Sequence, residues 1–393
     1  MTMHFKTLIT LASAAMLLAA CGGGSSNNSS SATTTTPAVV VQTPLILTGA
    51  ALQAEVDRFR KDSGYPGLSV TIVNQDKIET VVSGVREINT SKTVLATDYF
   101  QMGSLTKAAT STMIARLVEQ KKIRWDSTVA EIFPEWRTQM RPEFLTVTLE
   151  QILHHRSGLP REINDATAAK AIPLLTGNSV ADRRALVGLM LQDAPEFTPN
   201  SKMQYSNIGY TLAGLMAETV GGDSYESLMQ KELFGPLAMK AYLGFPEDKG
   251  PNNNVGHTLV SGSWKVTAPV YDPRYAYFIN AAGGMTLTLA DYGIFLRENL
   301  RGLQGQSSYL SKASFIALHT PIDEYGLGWG VVNLPQLGNI STHNGTELTY
   351  YSATYLIPSK NVAIAVTCNC YDTSIIPTVD SFIASLMSPL NTK

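Results

Sequence analysis

The 393-residue chain has few of the side chains that build metal or redox centres, with three cysteines and six histidines. No Cys/His cluster has metal-ligand spacing, so the sequence implies neither a metal site nor a cofactor. Charge is scarce as well. Charged residues make up 16% of the chain and the net charge is −2. No basic run stands out, so the electrostatic footprint of a nucleic-acid binder is missing. After the first twenty residues, no apolar stretch is long enough to cross a bilayer. A G-x-S-x-G turn is also missing, which argues against an α/β-hydrolase. What is left is 44% hydrophobic, enough for a sizeable core.

Residues 1–20 read as an export signal. Met1 to Lys6 are weakly positive, and Thr7 to Leu18 are mostly apolar and uncharged but too few to span a membrane. Leu18-Ala19-Ala20-Cys21 resembles a bacterial lipoprotein signal, in which the cysteine becomes the lipidated first residue. An ordinary secretory signal cleaved nearby is the alternative. Gly22, not Asp, follows the cysteine, so the resemblance implies the periplasmic side of the outer membrane. Residues 21–45 begin with Gly, Ser, Asn and Thr that cannot bury a core. Their composition predicts a flexible tether averaging roughly 25–30 Å. A globular part from 46 to 393 follows.

Within it, the pattern predicts a helix over Ala50 to Lys61. Leu68 to Val73 and Ile78 to Val82 read as paired strands across an Asn74-Gln75-Asp76 turn. Helical stretches fill the middle, roughly 104–280. Asn207 to Val220 is closed by Gly221-Gly222, and Tyr225 to Leu233 by Gly235-Pro236. Thr288 and Asp291 cap a helix to about Leu300. Four strand-like runs follow: Gly328 to Val332, Ile340 to His343, Tyr351 to Ile357 and Val362 to Thr367. A last helix spans Ile375 to Leu386. Strands at both ends with helices between predict an α+β fold, an antiparallel sheet flanked by terminal helices and split by a helical insertion. Cys368 and Cys370 lie two apart on a strand and share a face. A bond between them would be strained, so two buried thiols are expected.

Three short stretches carry the chemistry. The first is Ser104-Leu105-Thr106-Lys107, the chain's one S-x-x-K. The uncharged Ala108 to Ala115 after it suits a helix packed on all sides. Gly103 lets the chain turn sharply, placing Ser104 at a helix N-terminus. Lys107, three residues on, shares its face. A serine becomes a nucleophile when a neighbour takes its proton, and a desolvated lysine can serve. Alone, the same four residues also fit a cap followed by a surface lysine. The second stretch is Tyr205-Ser206-Asn207. A tyrosine against a lysine can release and recover its proton, and the asparagine offers an amide donor and acceptor. An aromatic core residue before a cap is the bland alternative. The third is His343-Asn344-Gly345-Thr346, where glycine at a strand edge lets a substrate approach the backbone. It also fits a simple turn. The Thr346 N–H could pair with that of Ser104 as an oxyanion hole.

S-x-x-K, Y-x-N and H-x-G in that order resemble the serine β-lactamase and penicillin-binding superfamily. The nearest branch is that of class C β-lactamases, DD-carboxypeptidases and related esterases. Tyr205 lies 101 residues and His343 239 residues after Ser104. Residues 148–160, Ala282-Gly283-Gly284-Met285 and Tyr325-Gly326-Leu327-Gly328-Trp329-Gly330 also match. The resemblance implies a serine hydrolase with its active site between the sheet and the helical part, working through an acyl-enzyme on an ester, D-amino-acid peptide or β-lactam. It implies that Ser104 attacks, Lys107 and Tyr205 share its proton, the Ser104 and Thr346 N–H groups hold the oxyanion, and Asn207 contacts substrate. His343, Asn344 and Gly345 would line the substrate site. Many β-lactamases have lysine and threonine at the positions of His343 and Asn344, where they help hold a substrate carboxylate. Paired His154 and His155 read as structural. A monomer is expected. A non-catalytic penicillin- or peptidoglycan-binding lipoprotein is the competing class.

Overall fold

The computed structural model describes residues 46–391 apart from 75–76, 251 and 269–272. The expected export signal, lipidated Cys21 and tether lie outside these residues.

A six-stranded antiparallel sheet organises the molecule. Its strands are β1 (Gly67–Asn74), β2 (Lys77–Gly84), β3 (Gly330–Leu334), β4 (Gly338–Glu347), β5 (Tyr350–Ile357) and β6 (Val362–Cys368). Their order is β2-β1-β6-β5-β4-β3. Strands β1 and β6, far apart in sequence, are therefore neighbours inside the sheet, where Val70 pairs with Val366. The central strands are buried on both faces, and their composition follows what covers each one. On β6, Val362, Ile364 and Val366 face one core and Ala363 and Ala365 face the other. The branched side chains meet the terminal helices α1 (Gly49–Ser63) and α6 (Ile375–Met387). Those two helices are joined by Phe59 stacked on Phe382 at 4.0 Å. The alanines leave room for the helical body on the opposite face.

That body holds α2 (Thr106–Glu119), α3 (Asn207–Gly221), α4 (Pro273–Gly283) and α5 (Leu289–Gln304). Every residue of α2 from Thr106 to Ala115 is buried. Its hydroxyls are satisfied locally: Thr110 reaches the Thr106 carbonyl and Thr112 the Ala108 carbonyl. A polar-looking helix can thus sit in the core without orphaned groups. Ser206 caps α3 by accepting from the Gly209 N–H, and Gly222 ends it in the left-handed region. This is the α+β architecture expected from the sequence. Among the described residues, no helix is long and apolar enough to cross a membrane.

Two features differ from expectation. Cys368 and Cys370 form a disulfide, not two free thiols. The chain leaves the strand between them, because Asn369 is drawn aside to donate to the Val85 and Arg86 carbonyls. The Cα separation is thereby 5.1 Å, shorter than the roughly 6.6 Å that two strand residues span. A hairpin, His257–Val260 with Ser263–Val266, also joins the fold through a parallel pairing to Cys370 and Tyr371.

Candidate active site

The site forms where β4 lies across the turn that opens α2. Gly103 to Leu105 make one 3-10 turn, so Ser104 stands just ahead of the α-helix. Two glycines permit the contact. A Cβ on Gly103, whose φ is +52°, would fall 2.5 Å from the Thr346 nitrogen. One on Gly345 would fall 2.1 Å from the Met102 oxygen and 2.7 Å from the Ser104 nitrogen. Distances under about 3 Å exclude any side chain at either place. The Ser104 and Thr346 amides thus lie on adjoining backbone segments. Gln101 staples the turn, accepting from the Gly103 N–H and donating to the Gly283 carbonyl. Thr106 adds a bond to the Gly103 carbonyl at 2.6 Å.

Lys107 is 0% exposed. Its Nζ lies 3.0 Å from Ser104 Oγ, 2.7 Å from Asn207 Oδ1 and 2.8 Å from the Ala282 carbonyl. Burial pushes the ammonium well below the usual lysine range; Glu162 and Glu347 oppose this, and Arg161 adds to it. A neutral amine fits the three neighbours. It has two hydrogens for the two carbonyl-type oxygens and a lone pair for the serine hydroxyl. Asn207 is fixed from its other end, its Nδ2 donating to Glu162 Oε1. That leaves one Nδ2 hydrogen for a substrate.

Tyr205 packs on this lysine, with Nζ 4.7 Å from the ring centroid. Burial raises the phenol above its ordinary range; a hydrogen bond with Ser104 and the charge of Arg161 act downward. His155 holds three consecutive residues here. Its carbonyl accepts from the Gln204 N–H at 2.8 Å. Its ring lies 4.3 Å from that of Tyr205, and its Nδ1 accepts from the Ser206 N–H at 3.0 Å. The backbone of His155 is left-handed, φ +59°. Neighbouring His154 donates from Nδ1 to the Tyr325 carbonyl at 2.7 Å. The histidine pair reads as structural from sequence; here His154 bonds the Tyr325 backbone, and His155 packs on Tyr205 and bonds the Ser206 backbone. His155→Ala would leave a cavity and an unpaired buried Ser206 N–H. The expected loss is about 3 kcal/mol of stability, measurable by chemical denaturation; a loss near zero would show that the clamp carries no load.

The third motif divides between the sheet's two faces. His343 and Gly345 lie toward Ser104, while Asn344 pairs with Ala353 on the face of the terminal helices. The Asn344 Nδ2 donates to the Tyr351 hydroxyl there. The side chain expected from sequence at the substrate site thus points to the other face, as the period-two alternation requires, and is hydrogen-bonded there. His343 is already occupied as well. Its Nδ1 lies 2.7 Å from the Asn344 carbonyl and its Nε2 lies 3.0 Å from the Tyr325 hydroxyl. The carbonyl can only accept, so Nδ1 carries the proton and Nε2 accepts from Tyr325. Burial, and then Lys107, push this ring down to about 3. It is neutral, and neither nitrogen is left for a substrate anion.

The family-level comparison agrees with this geometry. The Beta-lactamase family model matches residues 52–375. The chain belongs to this family. "Penicillin-binding protein 4" of Amycolatopsis lactamdurans is 26% identical over 341 residues, covering 81% of this chain and 84% of that one. "Protein flp" of Staphylococcus aureus (strain N315) is 25% identical over 311 residues, and the chain spans 59% of its length. An octameric penicillin-binding protein homologue from Pyrococcus abyssi shares the fold with a TM-score of 0.68 and 22% identity, over 85% of this chain and 76% of that one. SurE does so with a TM-score of 0.72 and 20% identity, over 86% and 75%.

Among the described residues, no group of three or more His, Cys, Asp or Glu could hold a metal. Several site residues carried no signal as chemistry in the sequence. The Ala282 carbonyl lies inside a stretch that resembled the family, but a carbonyl has no letter of its own. Arg161, Glu162 and Tyr325 sit immediately beside or within such stretches.

Proposed function

We propose that the protein is a serine hydrolase that works through an acyl-enzyme on Ser104. The observation carrying this reading is the buried Lys107 amine, 3.0 Å from Ser104 Oγ and held by Asn207 and Ala282. Lys107 takes the Ser104 proton as Oγ bonds to a carbonyl carbon. The N–H groups of Ser104 and Thr346 receive the negative charge that develops on the carbonyl oxygen. Tyr205, raised and hence protonated, donates to the leaving group and is resupplied from Lys107. Water then attacks the acyl carbon, the same groups return the proton, and the acid is released. Esters, D-amino-acid peptides and β-lactams fit this cycle. A fluorophosphonate or fluorescent penicillin probe tests it. Covalent labelling that vanishes in Ser104→Ala is expected. No labelling by any serine-reactive probe would instead favour a non-catalytic binding protein, and labelling that survives Ser104→Ala would remove Ser104 from its role.

We further propose that Cys21 is lipidated and holds the enzyme on the periplasmic side of the outer membrane. The support is the Leu18-Ala19-Ala20-Cys21 sequence followed by a Gly/Ser/Thr tether. Several acyl chains on one residue anchor stably where a single chain is marginal. In Cys21→Ser the protein is expected in the soluble periplasmic fraction with its hydrolase activity retained. Membrane association unchanged by the substitution would refute the anchor.

A further inference from the structure

Both nitrogens of His343 are engaged within the protein, and a cation stands close to Tyr205. Arg161 follows the Ser157-Gly158-Leu159-Pro160 turn, and its carbonyl accepts from the Asn207 N–H at 2.9 Å. Its guanidinium lies 5.1 Å from the centroid of the Tyr205 ring. The residue is tied to the catalytic wall at its backbone and at its tip. The side chain is nevertheless 53% exposed. Its one charged partner among the described contacts is Glu162, at 3.8 Å and equally exposed. Such a pair contributes little, and Glu162 already accepts from Asn207. A guanidinium attracted to an aromatic ring through its charge keeps N–H donors for another partner. Five donors on a delocalised cation suit a carboxylate bidentately. Because the guanidinium stands 5.1 Å from the centre of the Tyr205 ring, an anion on it would lie near that residue.

We propose that Arg161 is an anion-selecting residue at the mouth of this site, favouring substrates with a carboxylate close to the scissile carbonyl. This rests on the hydrolase reading above. The carboxylate could belong to the acyl part or to the leaving group, and the substrates distinguish them. The test compares kcat/KM of the purified full chain on three nitrophenyl esters: a neutral butyrate, a hemisuccinate with an acyl-side carboxylate, and an acetate whose nitrophenyl ring carries a carboxylate. The readout is each charged ester's kcat/KM divided by that of the neutral ester. Arg161→Gln is expected to lower this ratio about tenfold for one of the charged esters, the scale of a charge-assisted bond against a neutral one. Arg161→Lys should recover most of the ratio, and Arg161→Glu should lower it further. In the wild-type chain, added salt should shrink the ratio, because half-exposed charges are screened. A general loss of activity through Tyr205 moves all three esters together and leaves the ratio alone. Ratios unchanged within about twofold in all three variants would overturn the inference while leaving the hydrolase reading intact. Hydrolysis of none of the three esters by wild-type protein would overturn the ester selectivity, while the covalent labelling of Ser104 decides the hydrolase reading separately.

Discussion

Ser104→Ala is expected to reduce ester turnover by about 10⁶-fold, the scale seen when a serine hydrolase loses its nucleophile. The other groups cannot substitute for it. Lys107 is 0% exposed and faces Ser104 Oγ, not open solvent, and Tyr205 holds its proton under burial. The fold should hardly notice the change. The turn around Ser104 is fixed by Gln101 and Thr106, and neither bond uses the serine side chain. The hydrogen bonds of the Ser104 hydroxyl with Lys107 Nζ and with Tyr205 are lost, costing about 1 kcal/mol each. Steady-state kinetics on a nitrophenyl ester together with a thermal melt check both halves. Turnover within 100-fold of wild type, with the melt unchanged, would show that another residue performs the attack.

The sheet and the motif residues could be read in the sequence for different reasons. The β1 and β6 runs are apolar and β-branched, so their existence as strands was local information. Their pairing, Val70 with Val366 across nearly three hundred residues, was not local; strands at both ends with helices between implied a shared sheet but not its register. Ser104 and Lys107 are helical neighbours, so their meeting followed from spacing. Asn207 reaches the same lysine from another helix, and the Tyr205-Ser206-Asn207 triplet signalled it.

What the sequence hid was the direction and occupancy of side chains. His343 and Asn344 were read together, although adjacent strand residues must face opposite ways. His343 is then captured by Tyr325, a partner from a loop 18 residues earlier. Cys368 and Cys370 looked like one strand, and the bend that joins them depends on where Asn369 finds its acceptors. The strands Phe100–Gln101, Ala241–Leu243 and Met285–Leu287 are too short to show any period. The same limit applies to His155, whose value lies in three contacts to residues about fifty positions away.

Lys107→Met is expected to lower kcat/KM by about 10³- to 10⁴-fold, the upper range for a positioned proton-transfer group. Methionine nearly matches the shape of lysine and keeps the helix packed, so the loss reports chemistry. It leaves Asn207 Oδ1 and the Ala282 carbonyl without their Nζ donor, which costs stability at every pH. A second effect depends on pH, and its sign is fixed. The folded state holds Lys107 well below its ordinary value, so between the folded value and about 10.4 the unfolded chain binds more protons. Stability of the wild type therefore rises with pH through that window. The methionine variant lacks this contribution. The melting temperature of the wild type minus that of Lys107→Met should increase from pH 7 to pH 9.5. The activity of the wild type should rise with pH over its acid limb, because the amine acts in its neutral form. A difference in melting temperature that falls with pH would mean that Lys107 is held as a stabilised ammonium, and Tyr205 would then be the base.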